Sequence, residues 1–259
     1  MGKYHMNDAG RRVKSADKTF AILDCVFQRG GGTVTDVAEE IGVAKSTAHS
    51  HLATLEDHEF MVRRGDEYHV SLKFLEFGIE ARKDIGLTDH SRRTLEEVAK
   101  GTGESVGLFL EEHGRLVYID AADGERSVRT HGNIGTRSYL HDSAAGKAIL
   151  AYLPRERVEE IIDTHGLPAQ TEHTITDPDA LFEELREVRE ANVAFNDSET
   201  LDGVRAVASP IRVDGEVLGS VGVAGPQNRL AGSRYRVELP EIVRGATNEI
   251  ELRVSGATP

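Results

Sequence analysis

Two short helical patterns with almost no chain between them constrain this sequence more than any other feature. Thr33 and Asp36 have the spacing of a capping box, and the amphipathic run behind them ends at Gly42. A second helical pattern covers 45–57 and turns Ala48, Leu52 and Leu55 to one side. Two helices joined by so short a turn must cross steeply, which predicts a helix-turn-helix unit.

The flanking segments extend this unit on both sides. A preceding helix is indicated by apolar residues at helical spacing, and Gly30 to Gly32 stop it: Ala16, Phe20, Leu23, Phe27. On this pattern Cys25 falls off the apolar stripe, so we expect its thiol to be exposed. Two alternating runs, 60–63 and 67–70, meet at Gly65, which suits a tight turn with positive φ. The sequence therefore predicts three helices and a hairpin wing.

The second part of the chain has a different pattern. Strand-like runs alternate with helical ones. The predicted strands are 105–110, 115–120, 204–211 and 217–223. The predicted helices are 143–153, a helix that begins at Pro178, and 240–254. Asp214 and Gly215 between two of the strands are a strong hairpin signal. Hairpins among helices favour an antiparallel sheet covered by helices, so the predicted class is α+β. The predicted organisation is 12–70 as the winged helix-turn-helix, 71–86 as a linker helix and 87–257 as the second domain.

The charge is distributed unevenly between these parts. The net charge over 259 residues is −13, but residues 1–83 hold 12 Lys and Arg against 13 Asp and Glu, leaving 19 against 31 for the rest. The acidity that would oppose nucleic acid binding therefore lies almost wholly in the second part. The chain has 44 Asp and Glu, and its basic residues are 23 Arg and only 8 Lys. A surface rich in carboxylates and poor in lysine is expected of a protein that works in concentrated salt, as in a halophilic archaeon. Ordinary acidic solubility explains the same composition and stays open as an alternative.

Several function classes lack support. The single cysteine, Cys25, excludes an intramolecular disulfide and suits a reducing interior. The sequence has neither a long apolar run nor a secretory leader, so we expect a cytoplasmic protein with no membrane contact. His49 and His51 are two residues apart on a helix, which is the wrong spacing for a metal pair. We expect no enzymatic activity, no metal and no cofactor.

The third predicted helix has an open face suited to DNA. It carries hydroxyl and imidazole groups in place of carboxylates, and the second helix of a helix-turn-helix enters the major groove. The candidate DNA-binding residues lie on this unit and its wing: Thr35, Lys45, Ser46, Thr47, His49, Ser50, Arg63 and Arg64. Similar units also mediate protein contacts, which remains the competing interpretation.

These residues carry a resemblance that covers nearly the whole chain. The segment 13–82, with Lys14-Ser15-Ala16-Asp17-Lys18 and Val43-Ala44-Lys45-Ser46-Thr47, resembles the winged helix-turn-helix of IclR-family transcriptional regulators. The second part is similar as well, at 140–148, 174–178, Ser209-Pro210 and Gly225-Pro226. The resemblance implies a DNA-binding domain, a linker helix and a GAF-like domain that binds a small metabolite. It also implies a dimer or tetramer on a pseudopalindromic site in double-stranded DNA.

The resemblance places an effector site in the second domain. The implied positions are Ser143, Ala144, Ala145, Gly146, Asn196, Ala206, Gly222 and Ala224. Where members that bind small acids have aspartate, cysteine and two serines, this chain has Asn196, Ala206, Gly222 and Ala224. Ser50 stands where the recognition helix commonly has Arg. The pocket is thus expected to be uncharged and lined by smaller residues, although the same small residues also suit helix-on-sheet packing.

The sequence therefore predicts a sequence-specific DNA-binding regulator whose DNA binding responds to a small metabolite in the C-terminal domain. The alternative is a metabolite-binding or enzymatic GAF-like protein whose winged helix serves protein contacts.

Overall fold

The chain forms two compact units that divide between Asp84 and Ile85. The computed structural model describes residues 13–128 and 132–257, so the expected start of the first domain, Arg12, lies outside the described residues. Each unit has its own apolar core. In the described parts of the chain, no helix has the combination of length and apolar character needed to cross a membrane.

The first unit is the predicted helix-turn-helix with its wing. Its elements are α1 (Lys14–Arg29), β1 (Gly32–Thr33), α2 (Val34–Ile41), α3 (Lys45–Asp57), β2 (Met61–Arg64), β3 (Glu67–Val70) and α4 (Lys73–Asp84). Thr33 and Asp36 form a complete capping box at the start of α2. The core face of α3 is Ala48, Leu52 and Leu55, as predicted. Gly65 has a φ of 63° in the turn between β2 and β3. The sequence did not reveal β1, which pairs with β3.

The orientation predicted for α1 is wrong. Ile22, Cys25 and Val26 are its buried residues, whereas Phe20 and Phe27 are both 64% exposed. Cys25 is therefore in the core of this unit, and burial raises the pKa of its thiol. The expectation of an exposed thiol is accordingly wrong as well. The helix carries apolar residues on both faces, and packing against α2 and α3 selects between them.

The second unit confirms the predicted antiparallel sheet. Its elements are α5 (Leu87–Thr102), β4 (Ser105–Glu112), β5 (Arg115–Asp123), β6 (Arg137–Ser138), α6 (Ala144–Leu150), α7 (Arg155–His165), α8 (Pro178–Ala191), β7 (Ala194–Asp197), β8 (Val204–Val213), β9 (Glu216–Pro226), a π-helical turn (Arg234–Glu238) and α9 (Leu239–Ala257). The strand order is β6-β5-β4-β9-β8-β7, and every neighbouring pair is antiparallel. The hairpin at Asp214 and Gly215 joins β8 and β9, as predicted.

Helices cover both faces of this sheet. On one face α5 and α9 pack over a core that includes Val106, Val207 and Val223. On the other face α6, α7 and α8 cover residues with smaller side chains, among them Ala206, Ala208 and Ala224. This division follows from strand geometry, because successive residues of a strand point to opposite faces. The face with small residues leaves room between the sheet and α6.

Candidate nucleic-acid interface and effector cavity

The N-terminal half of α3 presents an open face without carboxylates. Lys45, Ser46, His49 and Ser50 are exposed, and Thr47 is half-buried. The first turn of α3 contains no acidic residue, and no side chain caps it. Free amides at a helix N-terminus favour a phosphate group. The structure thus brings five of the predicted DNA-binding residues together on one helix.

The hydroxyl and imidazole groups of α3 are not all free. The Ser50 hydroxyl donates a hydrogen bond to the Ser46 carbonyl at 2.9 Å, so its proton is engaged while its oxygen can still accept. His51 lies 2.8 Å from the Thr19 hydroxyl of α1, with its Nδ1 as the contacting atom. His51 therefore holds α3 against α1, and His49 is the imidazole that faces outward.

The remaining predicted DNA-binding residues lie away from that helix. Thr35 is half-buried in the first turn of α2. Arg63 and Arg64 are exposed at the end of β2. The Arg63 Nε donates to the Gly65 carbonyl at 3.0 Å, and its guanidinium lies 5.7 Å from the Tyr68 ring centroid. Arg63 is therefore partly committed to its own turn.

In the second unit a cavity of about 140 Å³ opens between α6 and the small-residue face of the sheet. It is lined by six of the eight predicted effector residues: Ser143, Ala144, Ala145, Asn196, Ala206 and Gly222. Gly146 and Ala224 do not line it. A Cβ at Gly146 would collide with the Leu140 carbonyl, so this glycine allows α6 to pack closely. Ala224 is fully buried in the sheet, paired with Ser105 and Ala206.

The sequence did not reveal the other half of the lining. Phe109 and Tyr118, on neighbouring strands, stack with ring centroids 4.8 Å apart and form one wall. The other lining residues come from β5, β6, the first residue of β8, and the segments that follow β5 and β7: Leu116, Gly132, Thr136, Ser138, Thr200, Leu201 and Val204. Pairing of Phe109 with Tyr118 across β4 and β5 brings their rings together. No local signal in the sequence indicates this pairing.

Asn196 lines the cavity, but its amide is already used. Its Nδ2 donates to the Asp142 carbonyl and to the Thr200 hydroxyl, both at 2.7 Å, and its Oδ1 accepts from the Glu199 amide at 3.1 Å. The Thr200 hydroxyl donates in turn to the Asp142 carbonyl at 2.6 Å. These bonds tie the segment after β7 to the start of α6, so Asn196 shapes the cavity wall.

A buried ionic cluster supports the same wall. Lys147 of α6 is 1% exposed, and its Nζ lies 2.8 Å from Glu184 Oε1 and 2.8 Å from Glu199 Oε1. Burial raises the pKa of Glu199, although the nearby Lys147 acts in the opposite direction. Asp142 is also buried, and its Oδ1 has no hydrogen-bond partner within the described residues. Desolvation, with a smaller contribution from the charge of Glu199, raises the pKa of Asp142 to about 7. Within 13–128 and 132–257, no group of His, Cys, Asp and Glu is arranged to hold a metal ion.

Comparison with known families matches both units. Residues 15–65 match the IclR helix-turn-helix domain, and residues 80–252 match the bacterial transcriptional regulator IclR C-terminal domain. Among curated proteins, the probable HTH-type transcriptional regulator ArcR of Halobacterium salinarum is 33% identical over 256 residues, covering 97% of each chain. The HTH-type transcriptional regulator KdgR of Escherichia coli is 28% identical over 227 residues, covering 86% of each chain.

Solved structures of IclR proteins also match this chain. The Thermotoga maritima IclR crystal structure is 28% identical and has a TM-score of 0.75, covering 93% of this chain and 98% of that one. An IclR homologue from Microbacterium hydrocarbonoxydans, complexed with 4-hydroxybenzoate, shares the fold with a TM-score of 0.80 at 22% identity, covering 94% of this chain and 100% of that one. The chain therefore belongs to the IclR family of transcriptional regulators, in which a helix-turn-helix domain that binds DNA is joined to a C-terminal domain that binds an effector.

Proposed function

We propose that this regulator reads DNA through Lys45, Ser46, Thr47, His49 and Ser50 of α3, with Thr35 and the wing residues Arg63 and Arg64 contacting the backbone. The observation that carries this proposal is the exposed, carboxylate-free N-terminal half of α3. Side chains near the start of a recognition helix reach base edges in the major groove, and flanking cations contact phosphates. The proposed work of the chain is regulation and not catalysis, and its proposed location is the cytoplasm.

The same proposal places the effector in the cavity beside α6. Six residues assigned from the family resemblance converge on this one space, which supports the assignment. A ligand there is proposed to change DNA binding through the linker segment 71–86. A ligand can shift such an equilibrium only by its difference in affinity for the two states.

The proposed assembly is a homo-oligomer, a dimer or tetramer, on a pseudopalindromic operator. Phe20 and Phe27 are seven residues apart, so they share one face of α1, and both are exposed, as is Val13 directly before the helix. α4 has no buried residue and exposes Leu75 and Phe77. Exposed apolar residues grouped on one helix face support an association surface there. Two-fold pairing would set half-sites about 34 Å apart, one turn of DNA.

The proposal is tested by incubating the protein with sheared DNA from its source and sequencing the retained fragments. We expect enrichment of a few sites with two-fold symmetry. The triple variant S46A/H49A/S50A should lose this retention while its fold and oligomeric state stay intact. The matched control T54A/H58A removes a hydroxyl and an imidazole from the other end of the same helix and should retain the sites. Retention by the triple variant equal to that of the wild type would favour the alternative, in which the winged helix serves protein contacts.

A further inference from the structure

The side chains that α3 offers to DNA are placed by the rotation of this helix about its own axis. A helix with its side chains is about 10 to 12 Å across, so a rotation of about 10° moves the outer atoms by roughly 1 Å. Binding groups must be held within about 0.5 Å of their productive positions. The contact that fixes the rotation of α3 therefore affects which bases its outer face can discriminate.

Apolar packing fixes this rotation only weakly in the N-terminal half of α3. The buried stripe is Ala48, Leu52 and Leu55, so the first of the three buried side chains is a single methyl group. Apolar burial is favourable in proportion to area and has no preferred direction. A hydrogen bond does have a preferred direction, because it weakens steeply when donor and acceptor are misaligned. A hydrogen bond from a neighbouring helix would therefore define the rotation more sharply.

Such a contact joins α3 to α1. His51 lies between the exposed Ser50 and the buried Leu52, and its Nδ1 is 2.8 Å from the hydroxyl oxygen of Thr19. Both His51 and Thr19 are half-buried. Successive residues of a helix are turned by about 100° from each other, so His51 lies on the flank of α3, beside the outer face.

The hydrogen bonds of Thr19 determine which ring nitrogen of His51 carries the proton. The Thr19 hydroxyl has one proton, and its oxygen also lies 3.0 Å from the Ser15 carbonyl oxygen, which can only accept. If the proton goes to Ser15, the Nδ1–H of His51 donates to Thr19 and both contacts are hydrogen bonds. If the proton goes to His51, the hydrogen bond to Ser15 is lost. Two hydrogen bonds are more favourable than one, which places the His51 proton on Nδ1.

We infer that His51 is a positioning residue for sequence discrimination: its bond to Thr19 fixes the rotation of α3 that directs Ser46, His49 and Ser50 toward the bases. The inference rests on the proposed assignment of α3 as the helix that reads DNA. It gives His51 a role in recognition through its contact with α1 and not through a contact with DNA.

Two variants break this hydrogen bond from opposite sides. Thr19→Val keeps the shape of the side chain and removes the hydroxyl, and His51→Ala removes the ring. The affinity of the full-length protein is measured for the DNA site most enriched by the wild type and for poly(dI-dC) as nonspecific DNA. We expect both variants to bind the enriched site about tenfold more weakly and poly(dI-dC) within about twofold of the wild type. The double variant T19V/H51A should lose no more than either single variant, because both changes remove the same bond.

The position of the proton makes different substitutions of His51 distinguishable. The amide N–H of Asn lies close to the position of Nδ1–H, whereas that of Gln reaches the position of Nε2. His51→Asn should therefore bind the enriched site within about twofold of the wild type, and His51→Gln should be as weak as His51→Ala. Thr54→Val removes a hydroxyl that donates to the Ser50 carbonyl within α3, so as the matched control for Thr19→Val it should leave both affinities unchanged.

A measurement without DNA tests the hydrogen bond itself. NMR of isotope-labelled imidazole nitrogens in the full-length protein distinguishes the two neutral tautomers of histidine, and the signals of His51 are those missing from His51→Asn. Neutral His51 should carry its proton on Nδ1 in the wild type, because the bond to Thr19 selects that tautomer. Thr19→Val should shift the population toward the form protonated on Nε2.

Wild-type affinity for the enriched site in Thr19→Val would overturn the inference, and combined with a loss in His51→Ala it would indicate a direct contact of His51 with DNA. An equal loss of affinity for both DNA probes would also overturn it, because a partly unfolded protein loses both in proportion. A wild-type His51 protonated on Nε2 would refute the assigned bond. If the wild type enriches no site at all, the proposed role of α3 fails, which is a different result from enrichment that Thr19→Val leaves unchanged.

Discussion

Lys147 is the residue whose surroundings the structure defines most sharply. Its ammonium is buried and shared between two carboxylates, of which Glu199 is 8% exposed and Glu184 is more open. Removing one partner of a buried ion pair leaves an uncompensated charge, which costs more than the pair contributes. This lysine therefore maintains the cavity wall through Glu199.

We predict that Lys147→Met lowers the free energy of unfolding by about 3 to 5 kcal/mol, measured by urea unfolding of the full chain. The double variant K147M/E199Q should recover part of this loss, because it no longer buries an unpaired carboxylate. Lys100→Met, at an exposed position of α5, serves as the control. No recovery in the double variant would contradict the charge argument.

Asp142 predicts a pH dependence of stability. Burial raises its pKa to about 7 from the ordinary 3.8, so between these values the folded protein binds more protons than the unfolded chain. Its stabilising contribution is present below about pH 4 and is lost as the pH rises through 7. We expect Asp142→Asn to exceed the wild type in free energy of unfolding by at least about 1 kcal/mol at pH 8, with little difference at pH 4. If Asp142→Asn and the wild type differ equally in free energy of unfolding at both pH values, the pH dependence does not come from Asp142. The same conclusion follows if the exposed control Asp66→Asn shows a similar pH profile.

At the scale of elements, α2 depends on its N-terminal cap. The Thr33 hydroxyl accepts from the Asp36 amide at 3.3 Å, and the Asp36 carboxylate accepts from the Thr33 amide at 2.9 Å. The Thr33 hydroxyl also donates to the Asp36 carboxylate at 2.6 Å, and this bond, together with the one from the Thr33 amide, holds the pKa of Asp36 below its ordinary value. Because α2 packs against α3, the cap also supports the proposed DNA-binding helix.

We predict that Thr33→Ala destabilises the first unit by about 1 kcal/mol, the usual cost of losing such a cap. Hydrogen exchange of the α2 amides should accelerate together with this loss. Among the described residues, the Thr54 hydroxyl bonds the Ser50 carbonyl of its own helix and no other group. Thr54→Ala should therefore change the free energy of unfolding by no more than about 0.5 kcal/mol. Equal effects of the two changes would argue against a specific role of the cap.

The helices differ in how much of their structure could be predicted from the sequence. For α2, the capping box and Gly42 predict the ends, and for both α2 and α3 a single apolar stripe predicts the buried face. For α1, Phe20 and Phe27 compete with Ile22 and Val26, and local periodicity does not say which face meets the partner helices. The helix α7 was not predicted at all, and only Val158 and Ile161 of it are buried.

At the scale of the whole molecule, the charge predicts a response to salt. A net charge of −13 implies self-repulsion in the folded state, and salt screens it over about 8 Å at 0.15 M and about 3 Å at 1 M. If the chain is adapted to concentrated salt, its thermal unfolding midpoint should rise up to at least 1 M KCl. NaCl should act equally at equal ionic strength. A flat or falling midpoint would contradict the adaptation and leave ordinary acidic solubility as the interpretation.

The sequence by itself determined the helix-turn-helix, the wing, the antiparallel hairpin at Asp214 and the family. These features depend on caps, turns and periodicities that act over a few residues. Only the tertiary structure decided that Cys25 is buried, that Phe109 and Tyr118 form a cavity wall, and that Lys147 pairs with Glu199. The burial of Cys25 and the pairing of Lys147 depend on which distant segments pack together, and residues 52 positions apart leave no local pattern that records their contact. The stacking of Phe109 on Tyr118 depends on the irregular register between β4 and β5.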